Sequence, residues 1–167
     1  MTSGSPGKTW VFDTSPLSHL DQLGYVLHLP VLLGQVFIPP AVSTELSRGR
    51  GRPGTSVPDQ PWIEVRAPRP ELLAEVRHEL AAGAGETEAL ALALELGGRL
   101  VIDERRARMY ANGKGLIHTG VLGVLSAIHA RGLAARSPAQ DLERLEKSGM
   151  HLSKALKGKW LSRVMGG

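Results

Sequence analysis

Short apolar runs that stop at turn residues, separated by longer segments of helical character, recur along the chain and restrict its fold more than any other feature. The runs at residues 9–12, 36–38, 62–65, 100–102 and 116–118 read as strands. Between them, residues 15–33 (with a break near Gly24), 41–47, 70–81, 86–96, 104–112 and 121–131 read as helices, and 141–148 and 153–164 as a C-terminal helical pair. Strands that alternate with helices require βαβ units, and hence a mostly parallel sheet covered on both faces: the α/β class. The stretch EALALALEL at 88–96 alternates as a strand would. Its Ala, Leu and Glu content, its length from Glu86 and the Gly97-Gly98 stop favour a helix. Residues 48–61, rich in Gly, Pro and Arg without periodicity, read as a mobile loop.

The 167 residues suit one domain spanning 1–167. With 42% hydrophobic and 22% charged residues, the composition is that of a folded globular chain. There is no cysteine, which excludes disulfides, zinc ribbons and thiol chemistry. The first residues carry no apolar leader, and no stretch approaches the ~18 apolar residues of a membrane span, so the expected location is cytoplasmic with no membrane partner. Twenty Lys and Arg against sixteen Asp and Glu give a net charge of +4, compatible with a polyanionic partner.

Two segments share one design. Trp10-Val11-Phe12 ends in Asp13, and Leu100-Val101-Ile102 ends in Asp103. Ligands of open parallel sheets bind outside the carboxyl ends of the strands, so both side chains should reach the functional edge, unless each merely caps the helix that follows. Glu45 lies about one turn into a helix that starts after the Pro39-Pro40 pair. Glu86 opens the helix of Gly85-Glu86-Thr87-Glu88, where an acid is also favoured by the helix dipole alone. Glu86 and Glu88 point about 200° apart, so only one of them can face a given site. Glu86 is preferred because it shares a face with Leu90 and Ala93. Carboxylates gathered at one edge repel and are costly to desolvate unless a cation sits among them. An oxygen-only donor set selects a hard ion, Mg²⁺ or Mn²⁺, whose chemistry suits phosphodiester hydrolysis.

The runs VFDTSPLSHL, IPPAVSTEL, GETEALALALELGGRLVIDERRARMYA and GLIHTGVLGVLSAIHARGL, in that order over residues 9–134, resemble the PIN-domain nucleases. The likeness is to the branch with a GE-x-EA helix and a G-x-L-G-x-L segment, and residues 137–167 resemble its helical tail. The resemblance implies a three-layer α/β/α sandwich, a Mg²⁺ or Mn²⁺ site and single-strand RNA endonuclease activity, as in the VapC-like toxins of toxin–antitoxin pairs. By position Asp13, Glu45, Glu86 and Asp103 match the four acids, and Ser15 matches the hydroxyl residue after the first. The third acid, usually Asp, is Glu here; Glu88 is its substitute, and Glu104 a weaker further candidate. The implied products carry 5′-phosphate and 3′-hydroxyl ends. A homodimer and a protein antitoxin are the implied partners, to be met by the 15–33 helices.

Basic residues that could hold RNA phosphates are Arg48, Arg50 and Arg52 in the loop after Glu45, and Arg105, Arg106 and Arg108 after Asp103. Lys154, Lys157, Lys159 and Arg163 read as a solvated helix face. Gly7-Lys8-Thr9 is not a phosphate loop, because it lacks the upstream glycine and precedes a strand. His78-Glu79 lacks the second histidine of a zinc-protease helix, and the other histidines show no i, i+4 pairing and read as surface or packing residues. Two rival classes are a PIN-like binding module without catalysis and a Mg²⁺-dependent phosphoesterase on a doubly wound fold. The second would need a lysine at the acidic edge, for which Lys114 is the candidate.

Overall fold

The computed structural model describes residues 9–49 and 51–166; Arg50 and the Gly7-Lys8 pair lie outside the described residues. All five expected runs form strands: β1 (Trp10–Phe12), β2 (Val36–Ile38), β3 (Ile63–Val65), β4 (Arg99–Val101) and β5 (Ile117–Thr119). They make one sheet of order β3-β2-β1-β4-β5 in which every neighbouring pair is parallel. β4 and β5 are displaced by one residue from the sequence expectation, but the ladder reaches Ile102, whose N–H donates to the Thr119 carbonyl at 2.9 Å.

Strand side chains divide by parity, as the pleat requires. Phe12, Val36, Ile38 and Val101 face one apolar cluster, and Val11, Leu100 and Ile102 face the other. Helices α1 (Thr14–Gln22), α2 (Leu29–Leu33), α7 (Val121–Ala130) and α8 (Pro138–Lys147) contribute to the first cluster. So does Val42 of α3 (Pro40–Ser47). The second cluster takes α4 (Pro70–Glu79), α5 (Ala84–Leu96) and α6 (Arg105–Gly113). A final helix, α9 (Lys154–Gly166), adds Trp160 to the first. This is a three-layer α/β/α sandwich.

The 15–33 segment breaks where Gly24 adopts φ +80°, a conformation costly for any side chain, and resumes through a short 3₁₀ turn before α2. The EALALALEL stretch is helical. Its alternation misleads because α5 is wrapped by α3, α4 and the sheet, so that Ala89, Leu90, Ala91, Leu92 and Ala93 are all fully buried. Gly97, left-handed at φ +59°, ends it. The 48–61 loop is tied down more than its composition suggests: Val57 is buried, and the Gly54 N–H donates to Asp21 Oδ2 at 2.6 Å.

The C-terminal helices are held by a buried ionic cluster. Asp141 of α8, with no exposed surface, accepts from Tyr25 Oη (2.8 and 3.0 Å) and Arg136 Nε (2.8 Å), and pairs with His129 Nε2 (2.7 Å). Tyr25 Oη also accepts from the Ala135 N–H at 3.1 Å, so one cluster fastens the α1–α2 turn to α7 and α8. Deleting one member of such a cluster strands the rest. Asp141→Ala is therefore expected to lower unfolding free energy by about 3–5 kcal/mol and Tyr25→Phe by about 1.5–3 kcal/mol. Urea denaturation with an unchanged slope checks both.

Candidate active site

The sheet's strand order reverses between β1 and β4, because β2 and β3 lie on one side of β1 and β4 and β5 on the other. Open α/β sheets bind ligands in the crevice above such a switch point. Phe12 is in register with Val101, and the Asp13 N–H donates to the Val101 carbonyl at 3.0 Å. The residues that follow the two strands, Asp13 and Asp103, therefore leave the same edge of adjacent strands.

Neither aspartate is spent on capping the helix after it. Asp13 occupies the N-cap position of α1 in an extended conformation, but its side chain makes no capping bond there. At α6 the cap is Glu104, which accepts from the Ala107 N–H at 2.7 Å. That leaves Asp103 to reach across to α7, where Oδ1 accepts from the Val121 N–H at 3.0 Å. Its Oδ2 is buried with no hydrogen-bond partner among the described residues.

The two glutamates arrive from helices. Glu45 of α3 accepts from Thr14 Oγ1 at 2.5 Å and from the Gly85 N–H at 3.2 Å. Glu86, in the first turn of α5, accepts from the Gly83 N–H at 3.3 Å. Glu88 is turned elsewhere: it accepts from the Ala41 N–H at 3.1 Å at the start of α3 and lies 3.8 Å from Arg77. The hydroxyl that touches a carboxylate belongs to Thr14, while Ser15 is exposed in the first turn of α1.

Burial drives the Asp13 carboxyl from its ordinary 3.8 up to about 7; the Thr14 backbone opposes this, and repulsion from Glu86, Glu45 and Asp103 adds to it. Asp103 is also raised, chiefly by burial, with the Val121 amide and the nearby His19 and Arg108 opposing the rise. The four acids thus share one electrostatic field. As the side chains stand, however, no three acid or imidazole groups among the described residues are drawn together at metal-binding distance. The donor chemistry still fits a hard cation. All the groups are carboxylates, and Asp103 Oδ2 has an unused lone pair in a buried position, which is costly unless something positive meets it.

Two glycines make room for these acids, and the sequence reading passed over both. A Cβ on Gly120 would lie 2.2 Å from Asp103 Oδ1, and one on Gly85 would lie 2.8 Å from Glu45 Oε1. The signal was present in the GE-x-EA and H-T-G segments, but only the fold shows what each glycine faces. His19 was also missed as a neighbour of Asp103; its Nδ1 lies 2.7 Å from Ser148 Oγ.

The basic residues divide. Arg105 and Arg108 line a depression with Asp103 and His118. Arg52 lines a different one with Asp21 and Gln22, at the far end of α1 from Asp13, and Arg48 is exposed where α3 ends. Lys114 follows α6 and precedes β5, which places it at the opposite edge of the sheet, paired with Glu79 at 3.0 Å. The phosphoesterase reading therefore loses its lysine.

A PIN-domain family model matches residues 9–165. The chain belongs to the PIN-domain family. No curated protein matches it. Membership brings a nuclease-type fold and, at that level, a hydrolase assignment; PIN domains typically use divalent metals, in keeping with the all-carboxylate edge. No helix of this PIN domain among the described residues is long and apolar enough to cross a membrane.

The raised Asp13 has a consequence for stability without metal. Below about pH 4 the carboxyl is protonated in both folded and unfolded chains; as pH rises to about 7 only the unfolded chain ionises, so stability falls, and above that the loss is complete. In EDTA, Asp13→Asn should therefore be more stable than the parent at pH 8, by on the order of 2–4 kcal/mol, and nearly equal at pH 4. Thermal unfolding at the two pH values checks the sign.

Proposed function

We propose that this PIN domain is a Mg²⁺- or Mn²⁺-dependent endonuclease for single-stranded RNA, acting in the cytoplasm. The observation that carries the proposal is that Asp13 and Asp103 leave the same edge of the sheet at the β1/β4 switch point, with Glu86 and Glu45 in the same electrostatic field. Asp13, Glu45, Glu86 and Asp103 would hold the ion. A divalent cation there supplies charge stabilisation at phosphorus and lowers the pKa of the attacking water.

The chain's own groups do the rest. Thr14 and the Gly85 N–H orient the two Glu45 oxygens, and the Val121 N–H fixes one oxygen of Asp103 and leaves the other free to meet a cation. Arg105 and Arg108 stand beside Asp103 to hold the phosphate ester. Water would attack phosphorus in line with the 3′ oxygen, whose bond to phosphorus breaks, with no covalent nucleophile on the protein, so the products would carry 5′-phosphate and 3′-hydroxyl ends. The activity suits the toxin of a toxin–antitoxin pair. An antitoxin segment, or the second copy of a homodimer, would seat on the turn before α2 and on α2 itself, where Leu27 and Val31 are each 63% exposed.

The test is cleavage of an end-labelled single-stranded RNA with Mg²⁺, Mn²⁺ or EDTA. The parent should cut only with metal, and Asp13→Asn and Asp103→Asn should fall to background. Gly120→Ala, which must displace Asp103, should lose about 100-fold or more while remaining folded. Cutting that survives both aspartate substitutions would refute the proposal; RNA binding without cutting would favour the non-catalytic module.

A further inference from the structure

The basic end of the chain does not behave as one solvated face. Lys157 pairs with Glu146 at 3.0 Å and Lys147 with Glu143 at 3.3 Å, both on the side of α8. Lys159 and Arg163 lie elsewhere. With Leu156 and Trp160 they occupy positions i, i+3, i+4 and i+7 of α9, one helical stripe, and this stripe lines a cleft of about 340 Å³. The opposite wall belongs to α7 and the turn before it, including Gly120 and Gly123, and Asp103 and Arg108 line the same cleft.

Trp160 sets this orientation. It is buried, and its Nε1–H is shared between the Leu122 carbonyl at 3.0 Å and Ser126 Oγ at 2.8 Å, both on α7. With the indole fastened to α7, the residues one position before it and three after it must look into the cleft.

The charge in this cleft is unbalanced. Arg108, Lys159 and Arg163 form no ion pair among the described residues, and Asp103 is the single carboxylate in the lining. Three cations facing one cavity repel unless anions enter it, and a spaced pair such as Lys159 and Arg163 matches a chain of phosphates better than a single ion. Little π-surface is offered for base stacking: of the two rings in the lining Trp160 is buried, and only the His151 imidazole is exposed.

We infer that the α7–α9 cleft is a second substrate-binding site, continuous with the acidic edge through Asp103 and Arg108, in which Lys159 and Arg163 hold the sugar–phosphate backbone of single-stranded RNA flanking the cleaved bond. This rests on the nuclease reading above. Contacts made to phosphates alone position the strand without reading its sequence, so the cleft adds affinity and not base preference.

The experiment compares the parent, Lys159→Ala/Arg163→Ala and the control Lys147→Ala/Lys154→Ala, which removes equal charge from the α8 side. Binding of a fluorescent single-stranded RNA 12-mer is followed by anisotropy in EDTA across a salt series, and cleavage is followed separately with metal. The cleft variant should bind about tenfold or more weaker, with the slope of log K against log salt reduced by about 1.4, the value for two phosphate contacts on a single strand. The control should stay within about twofold, and the loss in cleavage should fall on KM. Equal binding by the cleft variant and the parent, or an equal loss in the control, overturns the inference while leaving the nuclease intact. Lost binding in the cleft variant alone, with a parent that cuts no RNA under any metal, sustains the cleft and overturns the nuclease. A parent that binds no single-stranded RNA overturns both.

Discussion

The parallel pairing of β1 with β4 is the contact on which the rest of this molecule depends. It is short, three residues in register, yet it closes the switch point and brings Asp13 and Asp103 out at the same edge of adjacent strands, within electrostatic reach of each other. The other features of the edge serve that pairing: Glu104 relieves Asp103 of capping, Gly120 leaves its carboxylate room, and α3 and α5 bring Glu45 and Glu86 within electrostatic reach. The arrangement is unfavourable taken alone. Burial, with a smaller push from the neighbouring carboxylates, raises Asp13 to about 7, and a chain that maximised its own stability would not keep it there.

A second ionic cluster shows the opposite economy. Around Asp141 the Arg136 guanidinium, the His129 imidazole and the Tyr25 hydroxyl are all in place, so burial is compensated within the protein. That cluster fastens α8 to α7 and to the turn after α1, and Trp160 separately fastens α9 to α7. Asp141 is satisfied and builds the fold, while at the sheet edge Asp103 Oδ2 is left without a partner among the described residues. The distinction is read from partners, not from residue type.

Much of this was legible in the sequence. Strand runs that stop at Asp13 and Asp103 signal their own edge, because a parallel sheet has only one end at which strands give way to helices bearing ligands. The choice between Glu86 and Glu88 followed from helical geometry, and the structure turns Glu88 to the start of α3. What the sequence could not carry was long-range placement. Arg52 stands one loop from Glu45 but folds toward the far end of α1, Lys114 falls at the wrong edge, and Lys159 and Arg163, some sixty residues from Asp103, line a cleft with it. Nor could spacing show what Gly85 and Gly120 face, since a glycine kept for a neighbour's carboxylate looks like any turn glycine.

The central claim is that the switch-point carboxylates form one divalent-cation site, and the most direct measurement is Mn²⁺ binding followed by electron paramagnetic resonance. Saturable binding by the parent that is lost in both Asp13→Asn and Asp103→Asn, and kept in Glu88→Gln, is the predicted result. Binding that is absent from the folded parent, or that survives both aspartate substitutions, would contradict the account.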